Sequence, residues 1–162
     1  MSTKNVFIFC LGKELLEGSV LDRNGNFMAK AVDKLAFRVQ SIQTLDEVED
    51  EMVRSFQAAL AQKPSYIMTT GGMGPGHDDI TRQAVAKAAG LPLVRDERAV
   101  EMLGRSYKRL VAKGIAKNAE LHDGRLTMAD VPQGSICYEN PIGTAPAVRL
   151  RVEDTTFFLL PR

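Results

Sequence analysis

The sequence predicts an α/β fold, a three-layer sandwich in which helices cover both faces of a mainly parallel sheet. Three observations support this prediction. Strand-like and helix-like segments alternate through the first half of the chain, an order typical of parallel sheets. The first strand, residues 6–11, is continuously apolar, as expected of a strand covered on both faces. Near the C-terminus, residues 146–152 and 155–160 are joined by Glu153-Asp154 and predict an antiparallel hairpin.

The composition is that of one globular domain, residues 1–162, with 44% hydrophobic and 25% charged residues. The formal net charge of +1 argues against a dedicated nucleic-acid-binding protein, so we expect no nucleic-acid partner. The first apolar run is only about six residues long, too short for a signal peptide or a membrane span. We therefore expect a cytoplasmic protein without a membrane partner. Cys10 and Cys137 lie in apolar runs, which predicts inert thiols.

After the first strand, the pattern predicts helix, strand, helix and strand. A helix begins at Asp22-Arg23-Asn24, and residues 38–45 alternate polar with apolar side chains as a strand does. A second helix opens with acidic residues, for which the helix dipole is a sufficient explanation. Pro64 ends that helix before a strand at 65–70. The apolar stripes of the two helices are Phe27, Met28, Ala31, Val32 and Leu35, and Met52, Val53, Phe56, Ala59 and Leu60.

Three further helices are predicted in the second half. Residues 80–89 form a helix that Gly90 can end, and residues 96–116 form a longer amphipathic one. The long helix carries basic residues; a solvated face is the default interpretation, and a face turned to phosphate or acid groups is the minority one. These residues are Arg105, Lys108, Arg109, Lys113 and Lys117. Residues 125–130 predict a short helix, and residues 134–139 one more strand.

The central loop, residues 69–81, has the clearest chemical signal. It lies between a strand and a helix start, and its glycines are Gly71, Gly72, Gly74 and Gly76. Glycines let backbone N–H groups approach a phosphate, and a helix N-terminus adds unpaired donors. One of the acids Asp78 and Asp79 can cap the helix, and a second suits a Mg²⁺ that bridges carboxylate and phosphate oxygens. The loop therefore predicts an anion site with a metal.

A solvent-exposed turn that merely caps a helix is the alternative interpretation of this loop. The spacing fits neither a Walker A motif nor a dinucleotide-binding fingerprint. His77, inside the loop, has a proton or phosphate role only in a minority interpretation, and His122 is expected at the surface. Ligands of parallel sheets sit at the carboxyl ends of strands. We therefore expect the turn at residues 12–18 and the central loop to face one crevice.

Taken together, several stretches resemble the MoaB/Mog molybdopterin-binding family, and most closely the N-terminal domain of CinA-type proteins. The matching stretches are residues 12–18 (GKELLEG), 22–24 (DRN), 69–81 (TTGGMGPGHDDIT), 140–146 (NPIGTAP) and 159–161 (LLP). They span nearly the whole chain in the family's order. Without this resemblance, residues 140–146 would be interpreted as a rigid connector.

The resemblance implies an α/β sandwich that binds the phosphate of a pterin or nucleotide in its glycine loop. Mog-type relatives adenylylate molybdopterin with Mg-ATP, whereas CinA-type N-terminal domains are associated with hydrolysis of ADP-ribose-like pyrophosphates. Both reactions attack a phosphoanhydride and need a metal to neutralise phosphate charge. The resemblance therefore implies Mg²⁺ as cofactor, and molybdopterin or an adenine nucleotide as ligand. It also implies a homo-oligomer, a dimer, trimer or hexamer.

The resemblance also assigns residues. Asp79 matches the family's essential aspartate, Asp78 is the additional acid of the CinA-like branch, and both are expected to hold the metal. The family's acid at the start of the second helix corresponds to Asp46 or Glu47, with Asp46 taken as the catalytic candidate. The residues expected to contact the ligand are Gly71, Gly72, Gly74, Gly76, Thr81, Glu14, Lys13, Asn140, Gly143 and Thr144.

Departures from the family pattern affect the functional prediction. Lys13 stands where an acid is common, and we expect it to hold phosphate oxygens. Arg23 and Gly76 each replace a common threonine, and the chain stops at Arg162, where relatives continue into a further ligand loop. The leading prediction is Mg²⁺-dependent hydrolysis of an ADP-ribose-like nucleotide pyrophosphate. The alternatives are a molybdopterin adenylyltransferase-like activity and a non-catalytic ligand-binding or oligomerisation module.

Overall fold

A computed structural model of the chain describes residues 4–162. Over these residues the chain forms eight strands and six α-helices. The strands are β1 (Asn5–Leu11), β2 (Arg38–Leu45), β3 (Tyr66–Thr70), β4 (Leu93–Arg95), β5 (Asp130–Pro132), β6 (Ile136–Tyr138), β7 (Ala147–Val152) and β8 (Thr155–Leu160). The helices are α1 (Lys13–Leu16), α2 (Arg23–Lys34), α3 (Glu49–Ala61), α4 (Thr81–Ala89), α5 (Glu97–Ala112) and α6 (Asp123–Leu126). A 3-10 turn, Thr127–Ala129, follows α6.

The main sheet has six strands in the order β2-β1-β3-β8-β7-β6. The pairs β1–β2, β1–β3 and β3–β8 are parallel, whereas β7 runs antiparallel to both β8 and β6. The predicted mainly parallel sheet is therefore confirmed, as is the C-terminal hairpin, in which Val152 pairs with Thr155. Because four neighbouring strands are parallel, β2, β1, β3 and β8 all end at the same edge of the sheet.

Helices pack on both faces of the sheet, which confirms the three-layer prediction. Alternate side chains of β1 explain this: Val6 and Ile8 pack with Met28 and Val32 of α2 on one face. On the other face, side chains of β1 form the larger core with buried residues of α3, α4 and α5. The thiols of Cys10 and Cys137 are unpaired, and burial raises the pKa of each to about 12.

Phe56 of α3 lies at the centre of the larger core and provides a test of this packing. Its side chain is fully buried, and its ring is edge-on to Phe9 (centroids 5.1 Å apart) and to Phe157 (6.2 Å). We expect Phe56→Ala to lower the free energy of unfolding by about 3–5 kcal/mol, measured by urea denaturation. The control Phe27→Ala, at an exposed position of α2, should cost less than about 0.5 kcal/mol. Equal losses would contradict the assignment of the core.

The structure differs from the sequence predictions between α4 and β6. Residues 125–130 were expected as one helix, but the helical part ends at Ala129, and Asp130 begins β5. The antiparallel pair β4–β5 was not predicted; the Arg95 guanidinium donates two hydrogen bonds to Asp130 (2.6 and 2.8 Å) across it. The long helix ends at Ala112, before Gly114, which has a φ of +70°. Within residues 4–162, no helix is long and apolar enough to cross a membrane.

Candidate functional site

A cleft of about 390 Å³ opens at the edge of the sheet where the parallel strands end. β1 leads into Gly12, β2 into Asp46-Glu47, β3 into Gly71, and β8 into Pro161-Arg162. The cleft is lined by Glu14, Glu47, Gly71, Gly72, Met73, Gly74, Asp79, Asn140, Gly143, Thr144, Ala145, Pro161 and Arg162. The turn after β1, the central loop and the loop before β7 therefore face one crevice, as the sequence predicted for the first two.

The central loop turns three successive carbonyl groups towards α4. The Gly71 carbonyl accepts from the Thr81 hydroxyl (3.0 Å), the Gly72 carbonyl from the Thr81 N–H (3.1 Å), and the Met73 carbonyl from the Arg82 guanidinium. The described chain contains no cis peptide bond, and in a trans peptide each carbonyl is antiparallel to the next N–H group. The N–H groups of Gly72, Met73 and Gly74 therefore point away from α4. These three N–H groups have no protein acceptor among residues 4–162.

Two other N–H groups of the loop are engaged within the protein. The Gly71 N–H donates to the carbonyl of Leu160 (3.1 Å), and the Gly76 N–H donates to the Asp79 carboxylate (2.8 Å). Gly76 is exposed and does not line the cleft. Of the four predicted glycines, Gly72 and Gly74 keep an N–H group without an acceptor among residues 4–162, and the Met73 N–H group between them, which was not predicted, is a third.

Arg82 is the functional candidate that sequence reasoning missed. Its side chain is 1% exposed, and its guanidinium donates to the carbonyls of Met73 and Gly74 (3.1 Å to Gly74). Burial lowers the pKa of Arg82 to about 10. A signal was present in the sequence, because a basic residue in the first turn of a helix opposes the helix dipole and needs another explanation. Arg82 supports the loop from the side away from the cleft.

Three carboxylates line the cleft, from Glu14, Glu47 and Asp79. Glu47 is half-buried beside Gly72, and its pKa is raised, first by burial and then by the negative charges of Asp79, Asp78 and Asp46. Asp46 does not line the cleft; its carboxylate accepts the Glu47 N–H at 2.7 Å. Asp78 is exposed and also absent from the cleft lining. Of the two acids that could match the family position, Glu47 is the one that faces the cleft.

The crowding of like charges around Glu47 can be tested by stability. Without divalent ions, we expect Glu47→Gln to raise the Tm by about 1–3 °C, less than about 1 kcal/mol, because solvent still screens the half-exposed carboxylate. The control is Glu49→Gln, at an exposed carboxylate that pairs with Lys87 (2.9 Å) and should not be stabilised by neutralisation. Differential scanning fluorimetry measures both. A lower Tm for Glu47→Gln, or an equal rise in both variants, would contradict the interpretation.

The cation in the cleft is not the predicted Lys13 of the turn after β1 but Arg162, which follows β8. The Lys13 ammonium is exposed, pairs with Glu17 (3.1 Å) and does not line the cleft. Instead, the Arg162 guanidinium contacts Glu14 and donates to the carbonyl of Leu11. Among residues 4–162, no group of three or more His, Cys, Asp or Glu side chains is arranged to hold a metal ion by itself.

The second loop, residues 139–146, is held together by Asn140. The Asn140 side-chain oxygen accepts from the N–H groups of Ile142 (3.0 Å) and Gly143 (2.9 Å), and its amide donates to the carbonyl of Ala145 (3.1 Å). Arg109 of α5 donates to the carbonyls of Asn140 (2.8 Å) and Gly143 (3.0 Å). One basic residue of the long helix thus supports a loop of the site, so the solvated-face interpretation does not hold for Arg109.

Comparison with solved structures shows the class to which this fold belongs. MoaB from Pyrococcus furiosus, described as a tungsten cofactor synthesizing protein, superposes with a TM-score of 0.59 at 14% identity, covering 99% of this chain and 83% of that one. CinA from Thermoplasma acidophilum, described as having unknown function, superposes with a TM-score of 0.87 at 29% identity, covering 98% and 88%. The fold is that of the MoaB/Mog proteins.

The family follows from the sequence comparison. Residues 7–161 match the family described as "Probable molybdopterin binding domain", and the chain belongs to that family. A Pyrococcus furiosus protein is 38% identical over 156 residues, covering 95% of this chain and 61% of that protein. A CinA-like protein of Myxococcus xanthus is 32% identical over 156 residues, covering 96% and 35%. The resemblance predicted from the motifs is confirmed, and the chain spans less than two thirds of the length of these relatives.

Proposed function

We propose that this chain binds the phosphate groups of an adenine nucleotide or of molybdopterin, and that it hydrolyses the phosphoanhydride of an ADP-ribose-like compound with Mg²⁺. The observation that carries the proposal is the set of three N–H groups beside the cleft, on Gly72, Met73 and Gly74, that have no acceptor within residues 4–162. Successive backbone N–H groups that point the same way form an anion-binding concavity. The three carbonyls held by Thr81 and Arg82 keep these donors in that arrangement.

The acids of the cleft fit a hard divalent cation. Glu47 and Asp79 both line the cleft, and the pKa of Glu47 is raised by burial and then by the negative charges of Asp79, Asp78 and Asp46. Mg²⁺ commonly binds through one or two carboxylates together with water and substrate phosphates, so a complete protein cage is not required. Glu47 and Asp79 would hold the ion. The negative charge of the nearby Asp78 would add to the electrostatic attraction for it. When bound, Mg²⁺ neutralises charge on the phosphates.

The remaining cleft residues position the ligand. The N–H groups between Gly72 and Gly74 hold non-bridging phosphate oxygens, and the second loop contributes Gly143 and Thr144 to the lining of the cleft. A volume of about 390 Å³ is within the range of small-molecule sites. Hydrolysis adds water across the phosphoanhydride, so ADP-ribose gives AMP and ribose 5-phosphate. Asp79 is the residue whose charge this reaction most requires.

Molybdopterin adenylyl transfer is the second candidate; the description of the family supports the binding of molybdopterin that this reaction needs. Both reactions need the same phosphate contacts and differ in the nucleophile that attacks the phosphoanhydride. A non-catalytic module remains the rival from another class, and the pairing of Lys13 with Glu17 outside the cleft favours it. The products of the reaction separate these three functions.

The test is to incubate the purified chain with ADP-ribose or with ATP, each with Mg²⁺ and with EDTA, and to separate nucleotides by ion-exchange chromatography. Hydrolysis predicts Mg²⁺-dependent AMP from ADP-ribose. Adenylyl transfer predicts pyrophosphate release from ATP only when molybdopterin is added. If neither product forms while inorganic pyrophosphate still binds, the binding module is correct; if pyrophosphate does not bind either, the anion site is refuted.

A further inference from the structure

Arg82 is a fully buried cation whose hydrogen bonds all go to one loop. Within residues 4–162, it donates to the carbonyls of Met73 and Gly74 and, at 3.9 Å, to the Met73 sulfur, and none of its bonds goes to a carboxylate. The Nε of Arg82 has no hydrogen-bond partner in the described part of the chain. Burying an arginine is unfavourable unless its charge is compensated, and an apolar side chain could fill the same space on α4. The arrangement therefore needs an explanation other than core packing.

The loop above Arg82 contains several glycines, whose backbone is less restricted than that of other residues. Gly71 and Gly72 have φ values of +102° and +62°, and Gly74 has no side chain to resist rotation of the peptide before it. Rotation of the Met73–Gly74 peptide by half a turn would replace the Gly74 N–H at the cleft with the Met73 carbonyl. A carbonyl oxygen repels a phosphate, so the orientation of this single peptide decides between a donor and an acceptor.

We propose that Arg82 is a positioning residue that holds the Met73–Gly74 peptide with its N–H directed into the cleft. This inference rests on the proposed phosphate binding and assigns the control of that binding to a residue that does not touch the ligand. The guanidinium donates to the carbonyls of Met73 and Gly74, so it fixes the peptide groups before and after Gly74. A charged donor on the Met73 carbonyl also polarises the same peptide and makes the Gly74 N–H a stronger donor.

A purely structural role of Arg82 makes a different prediction. In that case, loss of the side chain would destabilise α4 and the core without changing the direction of the loop N–H groups. Val85→Ala is the matched control, because Val85 is also buried on α4, does not line the cleft and has an apolar side chain that cannot donate to the loop carbonyls. It lowers stability while leaving both carbonyl bonds in place.

The experiment compares the ¹⁵N-labelled chain with its Arg82→Met, Arg82→Lys and Val85→Ala variants by two measurements. Residual dipolar couplings of the Gly72, Met73 and Gly74 N–H vectors report their orientation without ligand, and calorimetry gives the Kd for inorganic pyrophosphate. We expect Arg82→Met to change the Gly74 coupling and to raise the Kd at least tenfold. Arg82→Lys, which keeps one charged donor, should lie between Arg82→Met and the original chain, and Val85→Ala should match the original chain in both measurements.

The dipolar couplings test the positioning role of Arg82, and the calorimetry tests phosphate binding, so the two proposals can be refuted separately. An unchanged Gly74 coupling in Arg82→Met would overturn the positioning role, whether or not pyrophosphate binds. If Arg82→Met does not fold, Arg82→Lys gives the same decision through its coupling. An original chain that does not bind pyrophosphate would refute the proposed function, while the couplings would still decide the role of Arg82. An equal loss of affinity in Val85→Ala would assign the effect to stability and would also overturn the proposal.

Discussion

Replacing Asp79 with asparagine is expected to lower Mg²⁺-dependent AMP release from ADP-ribose at least about 100-fold, the loss typical of removing one group that stabilises charge in a transition state. Asp79 lines the cleft, and its carboxylate accepts the Gly76 N–H at 2.8 Å. Asparagine keeps an oxygen for that bond but loses the negative charge that the metal requires. The measurement is kcat at saturating Mg²⁺ and ADP-ribose, followed by chromatography of AMP.

Asp78→Asn is the matched control, because it makes the same change at the adjacent residue. Asp78 is exposed and outside the cleft lining, so the kcat of the Asp78→Asn variant should stay within about threefold of the kcat of the original chain. The stability of Asp79→Asn should change by no more than about 1 kcal/mol, since the bond to Gly76 is retained. Equal losses of kcat in the two variants, or full activity of Asp79→Asn, would contradict the role of Asp79.

The layered fold could be predicted because its signals are local. The continuous apolar run of β1 and the apolar stripe of α3 each indicate which face is buried. The predicted stripe of α2 was only partly right, because Met28 and Val32 are buried whereas Phe27, Ala31 and Leu35 are exposed. The β4–β5 pair could not be predicted in the same way. All three side chains of β4 are exposed, and its pairing depends on contacts between Arg95 and Asp130, which are far apart in sequence.

The position of the cleft could be predicted, but the directions of the N–H groups in the central loop could not. A strand, a glycine-rich loop and a helix start are visible in the sequence, whereas the direction of each N–H depends on where the next carbonyl finds a donor. Thr81 and Arg82 supply those donors across the turn. Which of Asp46 and Glu47 faces the cleft could not be predicted either. The Asp46 carboxylate accepts a hydrogen bond from the Glu47 N–H (2.7 Å), and Glu47 is the acid that lines the cleft.

Gly72→Ala is expected to affect stability and ligand binding together. Gly72 has a φ of +62°, and an added Cβ would overlap the Thr81 hydroxyl and lie 2.9 Å from the Glu47 carboxylate. Thr81 is fully buried and cannot move without losing its bond to the Gly71 carbonyl. We expect a loss of about 2–4 kcal/mol in the free energy of unfolding, from the left-handed φ and the overpacking together. The Kd for inorganic pyrophosphate should rise more than tenfold.

Gly90→Ala separates the two contributions, because Gly90 has nearly the same φ, +68°, but no atom within 4 Å of an added Cβ. This control carries only the left-handed backbone cost, about 1–2 kcal/mol, and lies at the far end of α4. Urea denaturation and pyrophosphate calorimetry on both variants give the difference that crowding at Thr81 causes. Since only Gly72 belongs to the loop whose N–H groups face the cleft, pyrophosphate affinity that survives equally in both variants would place the anion elsewhere.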